Sequence, residues 1–253
     1  NWQAYGNMGL AFKDGGELTK AVAAYEKAIA INSNDPELFS NIGNALKDQG
    51  KLDEAIEAYK KSLSFKPDYA EAYSNMGNAL KEQGKLDEAI NAYNKALTLK
   101  PDYAEAYSNL GAVLKEQGKL EEAIEAYKKS LTLKPDTAEA YNDMGAVLKE
   151  QGKLDEAIDA YNKALKLKPD YAEAYSNIGI SFAEQGKLEA DQGKLEKAVE
   201  AYKKSLSLKP DYAEAYNNMG ISFAEQGKLE KAVEAYKKSL SLKPDYAEAY
   251  SNM

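Results

Sequence analysis

A glycine returns every 34 residues at Gly9, Gly43, Gly77, Gly111, Gly145 and Gly179, and the next in the series, Gly220, follows after 41. A fixed period of this length marks a chain of repeated supersecondary units, each too small to bury its own apolar side and therefore stacked on its neighbours. One unit, residues 70–103, reads AEAYSNMGNALKEQGKLDEAINAYNKALTLKPDY. Within it Tyr73, Met76, Gly77 and Leu80 share one helical face, and Leu86, Ala89, Ile90, Tyr93, Ala96 and Leu97 share another, so the unit predicts two amphipathic helices with buried faces. Gly50, Gly84 and Gly118 stand where a left-handed residue ends a first helix.

From the third onward, each unit begins after a proline such as Pro67, which cannot lie inside a helix. Asp68 with Glu71 then has the spacing of a capping box, as do Asp102 with Glu105, Asp136 with Glu139, Asp170 with Glu173, Asp211 with Glu214 and Asp245 with Glu248. Asn34 with Glu37 takes that place in the second unit, where Pro36 suits a first helical turn. The expected fold is all-α, an α-solenoid of stacked antiparallel helix-turn-helix hairpins. Its units run 2–35, 36–69, 70–103, 104–137, 138–171, 172–212 and 213–246, with a partial unit at 247–253.

The sixth unit carries a seven-residue insertion, 184–190, in which EQGKLEA is followed by DQGKLEK. Seven residues are close to two helical turns and rotate a face by only about 20°. A lengthened, protruding hairpin that keeps its stacking is the expectation, with a flexible loop or a local break as alternatives.

Composition narrows the chemistry. The chain has no cysteine and no histidine, which removes disulfides, thiolate nucleophiles and the usual zinc ligands. Acids outnumber bases 41 to 33, a balance unsuited to neutralising nucleic-acid phosphates or an acidic membrane surface. No apolar run approaches the roughly 20 residues of a membrane-spanning helix, and no secretory signal opens the chain, so the cytoplasm is the default expectation. The carboxylate pairs Asp87-Glu88 and Glu121-Glu122 recur at starts of second helices, where acids favour the helix dipole, so they are not read as an acid-base pair. No catalytic residue, metal ligand or cofactor is expected.

The unit resembles the tetratricopeptide repeat, with Tyr73, Met76, Gly77, Leu80, Ala89, Tyr93, Ala96 and Pro101 at its signature positions. AYSNLGAVLKEQG and LKPDYAEAY look most like the repeat superhelix of O-linked N-acetylglucosamine transferases and of related bacterial repeat proteins. The resemblance implies a right-handed superhelix whose concave face is lined by the first helices. In those transferases an asparagine ladder on that face holds extended peptide. The ladder position here carries Asn7, Asn41, Asn75, Asn109, Asn177, Asn218 and Asn252 and departs from the pattern at Asp143.

An asparagine amide offers both donors and an acceptor, so it bonds a peptide backbone without reading side chains. It also serves to bond adjacent units, and a residue repeated by duplication needs no ligand to explain it. Flanking contacts are expected at Asn44, Asn78, Lys81, Lys115, Lys149, Ile180 and Ile221. Ile180 with Ala183 and Ile221 with Ala224 make the sixth and seventh units more apolar there, as an aliphatic pocket or as ordinary packing. The function read from the sequence is a non-catalytic scaffold for protein or peptide partners. The alternatives are a self-assembling repeat protein of consensus type, joined as a homo-oligomer through open solenoid ends, and the substrate-recruiting arm of a larger glycosyltransferase.

Overall fold

The computed structural model describes residues 1–253. Fifteen helices follow one another without a strand. They pair as α1 (Trp2–Asp14) with α2 (Leu18–Ile31), α3 (Pro36–Asp48) with α4 (Leu52–Phe65), α5 (Ala70–Glu82) with α6 (Leu86–Leu99), and α7 (Ala104–Glu116) with α8 (Leu120–Leu133). The series continues as α9 (Ala138–Glu150) with α10 (Leu154–Leu167), α11 (Ala172–Glu189) with α12 (Gln192–Leu208), and α13 (Ala213–Glu225) with α14 (Leu229–Leu242), and ends at α15 (Ala247–Asn252). Two compact units divide the chain, residues 1–133 and 134–253. Within each, the second helix of one hairpin packs on the first of the next, the arrangement of an α-solenoid.

Each hairpin is locked by a tyrosine of its second helix pressed on a glycine of its first. Tyr93 is fully buried, and a Cβ on Gly77 would lie 2.8 Å from its ring. Tyr25 on Gly9, Tyr59 on Gly43, Tyr127 on Gly111, Tyr161 on Gly145, Tyr202 on Gly179 and Tyr236 on Gly220 repeat the contact. The period of 34 is therefore a packing constraint: the ring occupies the volume that a Cβ would need. The residues buried beside it on α5 include Ala72, Ser74 and Ala79, while Tyr73 and Met76, read from the sequence as buried, are half-buried.

The capping boxes do not form. Asp68 belongs to a turn in which the Tyr69 amide donates to the Lys66 carbonyl at 3.2 Å, with Pro67 at the second position. The helix begins one residue later than that reading requires, its N-cap is Tyr69, and no side chain caps it. The same holds at Tyr103, Thr137, Tyr171, Tyr212 and Tyr246. In the second hairpin the cap is Asp35 rather than Asn34, and it accepts from the Glu37 and Leu38 amides. Tyr69 instead lies under Lys66, whose ammonium is 4.6 Å from the ring centre, and Tyr103 lies under Lys100 at the same distance. Glu71, freed from capping, accepts from Lys100 at 2.9 Å. That bond holds its carboxyl below the ordinary carboxylate range. Lys168 with Glu139 and Lys243 with Glu214 repeat the pair.

The insertion lengthens both helices of the sixth hairpin, to 18 and 17 residues against 13 and 14 in α5 and α6. Neither glycine of the duplicated motif makes the turn. Gly186 and Gly193 are both helical, and the chain reverses at Ala190, in the left-handed region with φ 51°. Asp191 then caps α12 by accepting from the Gly193 and Lys194 amides.

Candidate functional site

The ladder residues recur at one position of successive first helices, a half-buried one except at Asn7 and Asn252, which are exposed. Asn7, Asn41, Asn75 and Asn109 form a row in the first unit, and Asp143, Asn177, Asn218 and Asn252 a row in the second. No intramolecular hydrogen bond engages the side-chain amides of Asn41, Asn75, Asn109 or Asn218. Asn177 donates to Asn142 at 3.0 Å, and Asn252 to Asn217 at 3.1 Å. Asn142 and Asn217 are buried where other hairpins carry Ser40, Ser74 or Ser176, side chains too short to make the same reach. Asn142 also donates to Asp143 at 3.4 Å.

The expected flanking contacts have divided duties. Asn44 and Asn78 accept from the buried hydroxyls of Tyr59 and Tyr93, each at 2.7 Å, and so are committed to the core. Burial raises both phenols above their ordinary value, so they remain neutral donors. Lys81 faces Glu116 of the next first helix at 3.8 Å, as Lys47 faces Glu82 at 3.6 Å and Lys13 faces Asp48 at 3.9 Å. Lys115 and Lys149 occupy the same half-buried position on α7 and α9. These long, partly exposed pairs contribute little each, but they bridge the gap between neighbouring first helices with polar groups.

Ile180 and Ile221 differ from the rest. Together with Ala183, Leu195, Tyr202, Asn218 and others they line a cavity of about 290 Å³ between α11 and α13, floored by α12. Ile180 and Ala183 also lean on the buried cluster around Tyr202 and Met219, so pocket and packing coexist there.

One set of contacts escaped the sequence reading. Gln83 donates to Asp53 and Gln117 to Asp87, each at 2.8 Å, and Gln185 donates to Asp155 at 2.7 Å, tying each of these first helices to the preceding second helix. The signal available was a glutamine recurring beside the turn glycine, 30 residues after an aspartate. No group of three or more acidic side chains converges to hold a metal ion, and no helix is long and apolar enough to cross a membrane.

Family models described as TPR repeat match residues 9–50, 43–84, 77–118 and 186–227, and others described as tetratricopeptide repeat match 102–170 and 213–246. The chain belongs to the tetratricopeptide repeat family. Among solved structures it is similar to the MamA protein, at 32% identity over 71% of this chain and 94% of that one, with a TM-score of 0.60. It is also similar to YrrB, described as a TPR protein with an unusual peptide-binding site, at 26% identity over 78% of this chain and 97% of that one, TM-score 0.61. A TPR repeat-containing protein from Cytophaga hutchinsonii shares the fold over 98% of both chains at 19% identity, TM-score 0.74. A comparison with curated protein sequences found no match.

Proposed function

We propose that this tetratricopeptide repeat chain is an interaction scaffold that holds extended segments of other proteins against the face formed by its first helices. The observation that carries the reading is the set of half-buried asparagine amides, Asn41, Asn75 and Asn109 in one unit and Asn218 in the other, that make no bond within the chain. These amides keep donors and an acceptor that no group of the chain engages, so they are available to an incoming backbone. Stacked helices lie roughly 10 Å apart and an extended chain advances about 3.3 Å per residue, so one asparagine per hairpin meets about every third residue of a ligand. Such contacts read backbone and tolerate many sequences. The peptide-binding site attributed to YrrB supports the reading by likeness.

Asn177 and Asn252 each give one amide donor to the preceding hairpin, and Asp143 offers no donor when ionised. The row in the first unit is therefore the stronger grip. The test is a binding screen of the chain against a library of extended peptides, repeated with Asn75→Ala and Asn109→Ala together. Binding weakened by about tenfold or more at an unchanged thermal midpoint is the expected outcome, from two lost hydrogen bonds of about 1 kcal/mol each. Equal binding by both forms would remove the ladder from the mechanism.

A further inference from the structure

We infer that the sixth and seventh hairpins carry an anchor pocket for one aliphatic side chain of a bound segment, next to a lysine or arginine of that segment. The inference rests on the first-helix face being the peptide surface, and it adds sequence preference to a face that otherwise reads backbone.

The pocket is made by substitutions at two repeated positions. On α3 and α5 the gap to the next first helix is bridged by Lys47 reaching Glu82 and Lys81 reaching Glu116. On α11 and α13 the lysine position holds Ala183 and Ala224, and the position of Asn44 and Asn78 holds Ile180 and Ile221. With the bridging side chain cut back to a methyl group, a cavity of about 290 Å³ opens, walled by Ile180, Ala183 and Ile221 and floored by Leu195 and Tyr202. This is small for a whole ligand and of the right order for one side chain.

The polar atoms around it have separate roles. Ser222 lines the cavity, but its hydroxyl donates to the Asn218 carbonyl at 3.2 Å and is spent on its own helix. Tyr202 is 1% exposed, and Ile180 gives it no acceptor of the kind that Asn44 and Asn78 give to Tyr59 and Tyr93. Its hydroxyl remains a donor at the floor, suited to a backbone carbonyl of the ligand. Asn218, another lining residue, carries one of the unspent ladder amides, so the pocket is continuous with the ladder.

The rim sets the charge of the neighbour. Glu184 and Glu225 stand at the mouth, and the extra turn of α11 contributes Lys187, which reaches Glu225 only at 3.9 Å with its side chain 73% exposed. One lysine against two carboxylates leaves the mouth acidic, which favours a cationic residue beside the anchored one.

The experiment uses the full chain with its isoleucine methyl groups labelled for NMR, titrated with N-acetyl-leucyl-lysinamide and, separately, with N-acetyl-leucyl-glutamamide carrying a free side-chain carboxylate. Saturable shifts of the Ile180 and Ile221 methyls with the lysine probe, about tenfold weaker with the acidic one, and still Ile56 and Ile124 methyls are expected. The double substitution Ile180→Asn with Ala183→Lys, which restores residues that α5 carries at these positions, abolishes the Ile221 response. Still Ile180 and Ile221 methyls at millimolar probe, or equal response to both probes, overturn the proposal. The pocket's lining includes neither Asn75 nor Asn109, so the Asn75→Ala, Asn109→Ala chain responds like the parent. A failed ladder is thereby distinguished from a failed pocket.

Discussion

In the α5–α6 hairpin the chain reverses at Gly84, with φ +75° and open space around it, whereas in α11–α12 it reverses at Ala190 and leaves both glycines of a duplicated turn motif inside helices. The two hairpins keep the same lock, Gly77 under Tyr93 and Gly179 under Tyr202. Moving seven residues outward on each antiparallel helix of the longer hairpin brings Gly186 opposite Leu195, and a Cβ on Gly186 would lie 2.8 Å from that leucine. The insertion has thus repeated the lock one heptad further out, with leucine in place of tyrosine. Leu195 is 3% exposed. Burying a leucine is worth about 1.5–3 kcal/mol, and holding a non-glycine residue in the left-handed region costs about 1–2. Side-chain register across the hairpin therefore outweighs the local preference of glycine for the turn.

The largest effects that probe this comparison come from filling the locks. Alanine at Gly77, Gly179 or Gly186 is expected to lower stability by about 1–3 kcal/mol from overpacking, offset in part by the roughly 1 kcal/mol gain in helix propensity. Shifts in chemical-denaturation midpoint check it, and a stabilised Gly186→Ala chain would show that the outer lock is not a close contact. Tyr93→Phe should cost about 1 kcal/mol through the lost bond to Asn78, while Tyr202→Phe, with Ile180 opposite, should change the midpoint little or raise it. Equal losses in the two would mean that Tyr202 has an acceptor after all. The turns give the smallest effect and opposite signs. Gly84→Ala should destabilise by about 1 kcal/mol, and Ala190→Gly should stabilise by a few tenths, both read as thermal midpoints.

Much of the fold was legible because it is written in short-range spacing. The recurrence of Gly77 and Tyr93 and the apolar positions around them define two helices per unit without reference to anything distant. The capping at these helix starts was misread for a physical reason: Asp68 and Glu71 have capping-box spacing, but Pro67 draws Asp68 into a turn, and Lys100, 29 residues on, takes the glutamate. The candidate site was legible as residue types at a repeated position, and Asn75 and Asn177 look alike in the sequence. Asn177 is tied to Asn142 of the preceding hairpin and Asn75 is not, a difference made by an asparagine in place of Ser40 35 residues upstream.

The period, the helical hairpins, the acidic balance and membership of the tetratricopeptide repeat family all follow from the order of residues, since each depends on neighbours within a few turns. Which amides remain unspent, where the lengthened hairpin turns, and that Ile180 and Ile221 border a cavity depend on groups some 10 to 40 residues apart. Those contacts are settled by volume and hydrogen-bond competition once the hairpins are packed, and close packing leaves little freedom to satisfy them otherwise.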